Sequence, residues 1–138
     1  VKFLLDTNAV AALMKGEPHA IERLRALRRA DVFLPQPVLA EVAFGLARMP
    51  PSARRERLEA AWRALTEELQ RAPWTDEVSL RFGQAKAELQ RVGTPIEDFD
   101  LAIAAHALAY DAVVVTANLR HLGRVPGVRT EDWSSPER

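Results

Sequence analysis

The 138-residue sequence predicts an α/β domain built on a mostly parallel sheet with helices on both faces. Three observations carry this prediction. Short apolar runs of strand length recur at Lys2–Leu5, Val32–Leu34, Gln70–Pro73, Ala112–Val115 and Val128–Thr130. Helical segments separate them, which is the alternation of βαβ units. The most β-branched run, Ala112–Val115, follows a segment that is apolar nearly all round, so that strand and that helix mark the interior.

The elements follow in order. The first strand ends at Asp6, and Thr7–Met14 reads as a helix closed by Gly16 and Pro18. Ile21, Leu24, Leu27 and Arg28 recur at helical spacing, giving an amphipathic helix over His19–Arg29. Val38–Met49 is helical until Pro50-Pro51 ends it. Ser52 has the form of an N-cap for a long helix to about Leu69, with Leu58, Trp62, Leu65 and Leu69 on a buried stripe. Thr75 or Asp76 caps the next helix, whose Val78, Phe82, Ala85 and Leu89 share a face and which Gly93 stops. Thr94-Pro95-Ile96-Glu97 has the form of a capping box with proline at the first helical position. A helix is therefore predicted to start there and run through Ala109, with Val128–Thr130 as a final edge strand. No repeat or linker interrupts the chain, so one domain is expected over residues 1–138.

Composition narrows the function classes. With 48% hydrophobic residues the chain can bury a core, and no run approaches the ~18 apolar residues of a membrane span. The N-terminus has no signal-peptide pattern. The absence of cysteine excludes disulfides and zinc–thiolate sites, so a reducing cytoplasm is the expected location. Nineteen Lys+Arg balance nineteen Asp+Glu, so no global positive field draws in nucleic acid. Only Lys2, Lys15 and Lys86 are lysines; the other basic residues are arginines. Arginine forks bind phosphate bidentately and stack on bases, so a local patch suffices for RNA; the same residues also suit a solvated surface.

Parallel α/β sheets place their sites at the carboxyl ends of strands, near the reversal of strand order. That rule singles out the residues after Leu5 and after Val115. Asp6 is the first, with helix N-capping as its ordinary alternative. Glu41 borders the apolar face of its helix, where a carboxylate is uncommon unless paired or bound to a cation; an edge residue reaching water is the alternative. Asp98 and Asp100 sit two apart at the start of the apolar helix and cannot share a face. One can serve the helix dipole while the other enters the interior, and spacing does not choose between them. Thr116 and Asn118 can bond a carboxylate or a metal-bound water, or shape a turn. His106 and His121 show no metal-ligand spacing.

Asp6, Glu41 and one of Asp98 or Asp100 would put three charges at one end of the sheet. Two carboxylates about 4 Å apart repel by roughly 4 kcal/mol at an effective dielectric near 20. A cation relieves that repulsion, and all-oxygen ligation suits Mg²⁺ or Mn²⁺ better than zinc. Such ions leave positions for substrate phosphate, which points to phosphodiester chemistry.

Lys2-Phe3-Leu4-Leu5-Asp6-Thr7-Asn8 resembles the opening strand and acidic motif of the PIN-domain family, and Leu39-Ala40-Glu41 its glutamate motif. The stretch from Gly93 to Ala107, with Asp98-Phe99-Asp100-Leu101-Ala102-Ile103-Ala104-Ala105-His106, resembles that of VapC-type toxins. Val115–Asn118, Val125–Val128 and Asp132-Trp133 resemble the C-terminal region of the same subgroup, so the likeness spans essentially the whole chain. It implies a PIN-like three-layer sandwich on a five-stranded parallel sheet and a Mg²⁺- or Mn²⁺-dependent endoribonuclease. It also implies a toxin of the VapBC kind cutting tRNA or ribosomal RNA, a cognate antitoxin that blocks the site, and a homodimer. Asp6, Glu41 and Asp100 match the family's first three acids, and Asp98 is secondary. Asn118 stands where many relatives have a fourth acid. Ala117 replaces a frequent asparagine, and His121 stands where an acidic residue is common. Thr7, Asn8 and Thr116 match the polar groups that orient such carboxylates.

Other classes fit less well. A phosphotransferase with Asp6 as nucleophile needs an acid two residues on, where Asn8 stands. A non-catalytic RNA- or partner-binding module has no need of Asp6, Glu41 and Asp100 together. A housekeeping RNA-processing nuclease is the alternative within the same family, against which the compact length and the toxin-like C-terminal half favour the toxin.

Overall fold

The computed structural model describes residues 1–136. Five strands, β1 (Lys2–Leu5), β2 (Val32–Pro35), β3 (Gln70–Ala72), β4 (Ala112–Val115) and β5 (Arg129–Glu131), pair in parallel in the order β3-β2-β1-β4-β5. Helices α1 (Thr7–Met14) and α2 (Pro18–Arg25) connect β1 to β2. Helices α3 (Gln36–Ala47) and α4 (Ala53–Glu68) connect β2 to β3, and α5 (Asp76–Arg91) and α6 (Asp98–Tyr110) lead from β3 to β4. The short α7 (Leu119–Leu122) precedes β5. The chain steps outward from β1 to β3 and then returns across β1 to β4. Right-handed crossovers running in opposite directions place their helices on opposite faces, giving the three layers the sequence predicts.

The core follows from residue chemistry. Leu4, Leu5, Val32, Leu34, Val114 and Val115 are wholly or almost wholly buried in the three inner strands. Helix α6 is buried along Leu101–Ala107, where alanines at 102, 104, 105 and 107 allow close approach to the sheet and α5. His106 lies within this helix at 0% exposure, its Nδ1 donating to the Ala102 carbonyl at 2.7 Å. The Trp74 ring meets its edge and the Tyr110 ring stacks on it. Burial pushes the His106 imidazole below its usual pKa, against the pull of the Ala102 carbonyl.

The caps settle one open choice and correct another expectation. Thr75, rather than Asp76, caps α5, accepting from the Val78 amide, and Ser52 caps α4 by accepting from Arg55. The predicted helix at Thr94-Pro95-Ile96-Glu97 does not form: α6 begins at Asp98, with Glu97 at the N-cap and no side-chain cap bond. The Thr94 amide bonds instead to the Leu89 carbonyl, closing the α5 terminus behind Gly93 at φ +78°.

Two amphipathic readings also need correcting. Helix α2 ends at Arg25, and the expected continuation to Arg29 is replaced by a turn and a 3₁₀ segment at Arg29–Asp31. Its apolar side is spent internally, with Leu24 buried and Ile21 and Leu27 packed on the core. Helix α4 contains no fully buried residue; Leu58, Trp62 and Leu65 are half-buried, and only Leu69, beyond its end, is interior. The last strand starts at Arg129 rather than Val128.

Candidate active site

The reversal of strand order falls between β1 and β4. Their register pairs Leu5 with Val115, and the Asp6 amide extends the ladder by donating to the Val115 carbonyl at 3.1 Å. Asp6 and Thr116 therefore leave adjacent strands side by side, at the carboxyl edge where ligands bind in such sheets.

Asp6 caps α1 and also stands at the strand-end position the sequence singles out. Its Oδ1 accepts from the Ala9 amide at 2.7 Å, capping α1, and the cap fixes the carboxylate at 6% residue exposure. Burial pushes its pKa above the usual carboxylate range. The Thr116 hydroxyl and the Ala9 amide pull the other way, and the charges of Asp100 and Glu41 add to the rise. Asp100 and Glu41 lie near enough to bear on Asp6, so β1, α3 and α6 carry the three acids to the same strand-end region.

Each of the other acids has its own support. The Thr7 hydroxyl donates to Glu41 Oε1 at 2.8 Å, so the residue after Asp6 holds the acid of α3. Asp100 faces the β4 terminus: Asn118 Nδ2 and His121 Nδ1 each lie 3.5 Å from its Oδ2. Thr116, 1% exposed, links the two halves, since its hydroxyl favours the charged form of Asp6 and its Oγ1 accepts from the Asn118 amide at 2.8 Å.

Asp98 points elsewhere. It pairs with Lys86 of α5 at 3.1 Å, with its side chain 64% exposed. The offset of two residues on one helix thus separates a surface ion pair from a site acid. Asn8 is exposed, makes no hydrogen bond to these carboxylates among the described residues, and lines a neighbouring cavity of ≈ 260 Å³ with Lys15, Thr116 and Trp133. The sequence reading gave His121 no partner. The signal was present in its spacing, since Asn118 and His121 stand one turn apart around α7.

The donor chemistry suits a hard divalent cation. Three carboxylates and an amide supply oxygen, there is no thiolate, and among the described residues no lysine or arginine pairs with Asp6, Glu41 or Asp100. No three acidic or imidazole side chains among the described residues close into a ready-made cage. Mg²⁺ rarely requires one, because it is commonly held by one or two carboxylates with water and substrate phosphate.

The sequence pattern of the PIN domain matches residues 3–128. The tRNA(fMet)-specific endonuclease VapC of Salmonella typhimurium strain LT2 is 35% identical over 133 residues, covering 96% of this chain and 98% of that one. Ribonuclease VapC1 of Haemophilus influenzae strain R2866 is 32% identical over 137 residues, covering 96% and 98%. Among solved structures, DNA-bound VapBC from Salmonella typhimurium superposes with a TM-score of 0.85 at 34% identity, covering 96% of this chain and 98% of that one. VapBC2 from Rickettsia felis, bound to a promoter DNA fragment, gives 0.86 at 25%, covering 96% and 99%. With its parallel sheet, its acids at the strand-order reversal and these full-length likenesses, the chain belongs to the PIN-domain family and, within it, to the VapC-type ribonucleases.

Proposed function

We propose that this nuclease cleaves RNA with Mg²⁺ or Mn²⁺ held at Asp6, Glu41 and Asp100, as the toxin half of a toxin–antitoxin pair. The observation that carries the reading is the meeting of three acids from β1, α3 and α6 at the carboxyl edge of the sheet, with no lysine or arginine partner among the described residues. A divalent ion bound there would activate a water and balance charge on the scissile phosphate. The chain's own groups hold the carboxylates ready. The α1 cap and Thr116 orient Asp6, Thr7 orients Glu41, and Asn118 steadies Asp100. These supports fix the orientation of each carboxylate, so less reorganisation is needed when an ion and substrate arrive.

RNA, an antitoxin and a second copy of the chain are the proposed partners. For the antitoxin, an apolar groove of ≈ 160 Å³ between α1, α3 and α4 is lined by Ala11, Met14, Val42, Gly45, Leu46 and Leu58 and ends at Thr7 and Glu41. An amphipathic segment lying there would bring a basic side chain to the acids, which relieves the same repulsion as a cation. For a homodimer, the exposed apolar residues Trp74 and Phe99, with Phe82, form an apolar face. The solved Salmonella and Rickettsia VapBC complexes support a protein partner of this kind.

The test is cleavage of a structured RNA by the purified chain. EDTA is expected to abolish cleavage, and Mg²⁺ or Mn²⁺ to restore it. Full activity in metal-stripped buffer overturns the mechanism. Stoichiometric Mn²⁺ binding without cleavage of tRNA or ribosomal RNA favours a binding module instead.

A further inference from the structure

His121 is the side chain beside the acids that this chemistry leaves unused. Of the three histidines, His106 is sealed in α6, and His19 lies on α2 beside Glu22 and Arg23. His121 alone reaches the site: its Nδ1 lies 3.5 Å from Asp100 Oδ2 and 3.2 Å from Asn118 Nδ2. Its side chain is 41% exposed and that of Asp100 is 26% exposed, so the space between them is open to an incoming ion.

We propose that His121 is a nitrogen ligand to the cation on the Asp100 side of the site, completing a mixed donor set of Asp100, Asn118 and His121. This rests on the metal-dependent reading above and adds a residue to it. The spacing is suitable. Two donors bound to one ion at about 2.1 Å each sit about 3.0–3.4 Å apart, so Nδ1 and Oδ2 need only a small inward shift.

The amide between them supplies a second observation. Asn118 Nδ2 lies against the Asp100 carboxylate at 3.5 Å and against His121 Nδ1 at 3.2 Å. In the tautomer with the proton on Nε2, Asp100 Oδ2 and His121 Nδ1 both present lone pairs to one electropositive NH₂ group, the kind of position a cation takes. Turning the amide by half a revolution puts its Oδ1 inward and makes it a third donor.

The segment that presents His121 is fixed. Leu122 and Val125 are buried at 1% and 2% exposure. The Asn118 amide is tied to Thr116 Oγ1, and the Leu122 amide donates back to the Asn118 carbonyl. Gly123 closes the turn where a Cβ would meet the Leu119 carbonyl oxygen at 2.6 Å. The imidazole is therefore held at Asp100 by a packed turn. Imidazole favours later transition ions over Mg²⁺ more strongly than a carboxylate at the same place does. This chain should accordingly discriminate more strongly for Mn²⁺ or Co²⁺ over Mg²⁺ than an all-carboxylate site.

The experiment is pulsed EPR on the full chain with one equivalent of Mn²⁺ and no RNA. The expected spectrum shows ¹⁴N modulation from a bound imidazole, lost in His121→Gln and retained in His19→Gln. Calorimetry should show Co²⁺ affinity falling in His121→Gln by at least the roughly tenfold that loss of an outer-sphere partner costs, with Mg²⁺ affinity changing less. The wild-type spectrum decides the matter even if a variant folds poorly. Bound Mn²⁺ without nitrogen modulation overturns the proposal and leaves the carboxylate site standing, as does modulation that survives in His121→Gln. No Mn²⁺ binding at all overturns the metal-dependent reading and this ligand with it.

Discussion

The Thr7 hydroxyl donates to Glu41 Oε1 at 2.8 Å, joining residues 34 positions apart in sequence. Thr7 opens α1 immediately after Asp6, so one turn of backbone carries a proposed ligand and the support for another. Removing that hydroxyl in Thr7→Val frees Glu41 to rotate toward water. Loss of a group that orients a metal-binding carboxylate typically costs 10–100-fold, and a fall of roughly that size in Mn²⁺ affinity is expected. Thr7→Ser keeps the donor and should recover most of it. Equal Mn²⁺ affinity in the valine and serine variants, measured by calorimetry, would show that Glu41 does not depend on the bond.

Asp98 and Asp100 make a direct comparison on one helix. Asp100→Asn removes a carboxylate facing Asn118 and His121, whereas Asp98→Asn breaks an exposed pair with Lys86. A bound metal is worth several kcal/mol of transition-state stabilisation, so Asp100→Asn should lower the cleavage rate about a hundredfold or more. Asp98→Asn should stay within about threefold, as exposed ion pairs are worth roughly 0–1 kcal/mol. Single-turnover cleavage of one RNA by both variants is the measurement. The reverse ranking would move the third ligand to Asp98.

The contrast between these two aspartates also shows what the sequence could and could not reveal. Strand and helix order was readable because the apolar runs alternate in period, and the strand-end rule alone pointed to Asp6 and Thr116. Helical geometry separated Asp98 from Asp100 without saying which turns inward. That is set by the buried run Leu101–Ala107, which orients α6 so that Asp98 meets Lys86 of α5 on the outside. The helix start expected at 94–97 gives way to a local competitor: the Thr94 amide is spent on the Leu89 carbonyl, closing α5 where the capping-box pattern would have opened α6. The resemblance marks the His121 position, but its contact with Asp100 is not legible in the sequence, because Asp100 comes from α6 and Asn118 from the start of His121's own short turn. Their meeting is produced by the packing of α6 against β4 and α7, which no local pattern records.

Asp6 should carry a stability cost for its function. Its carboxylate is buried beside two other acids, and burial raises its pKa. Asn at this position still caps α1, because asparagine is as good an N-cap as aspartate, but it brings no charge. In chelator at neutral pH, Asp6→Asn is therefore expected to melt higher, by about 4 °C for each kcal/mol relieved. Saturating Mn²⁺ should stabilise the wild type and not the variant, reversing the order. A lower melting temperature for Asp6→Asn in chelator would mean that the cap or the Thr116 contact outweighs the buried charge.

His106 gives the fold a sensitivity to acid. Its pKa is lowered by burial, so the folded chain favours the neutral ring and the unfolded chain binds its proton first. The stability this contributes is full above the unfolded value near 6.5 and is lost as pH falls below it. His106→Leu removes the titrating group while keeping an apolar side chain against Trp74 and Tyr110. Melting curves between pH 7.5 and 5.5 should fall less steeply for the leucine variant. Parallel curves would mean that His106 is not charged on unfolding in that range.

The groove beside Glu41 offers a way to separate antitoxin binding from catalysis. Gly45 lies one turn beyond Glu41 on α3 and lines the groove, and a Cβ built there meets no atom within 4 Å. Its φ is not among the positive ones, so a side chain introduces no backbone strain. Gly45→Gln should consequently fold well, since replacing glycine inside a helix removes a penalty of about 0.5–1 kcal/mol. The same side chain projects into space that an amphipathic segment would occupy. Melting temperature is expected to rise by a few degrees while affinity for the antitoxin falls about tenfold or more, a loss of about 1.4 kcal/mol. Cleavage of RNA by the free chain should change little, because the acids and their supports are untouched. Undiminished antitoxin affinity in Gly45→Gln, measured by calorimetry on a variant shown to be at least as stable as wild type, would place the inhibitor away from the α1–α3–α4 groove. Inhibition would then have to act from the other side of the site, where Asn8, Lys15 and Trp133 line the neighbouring cavity.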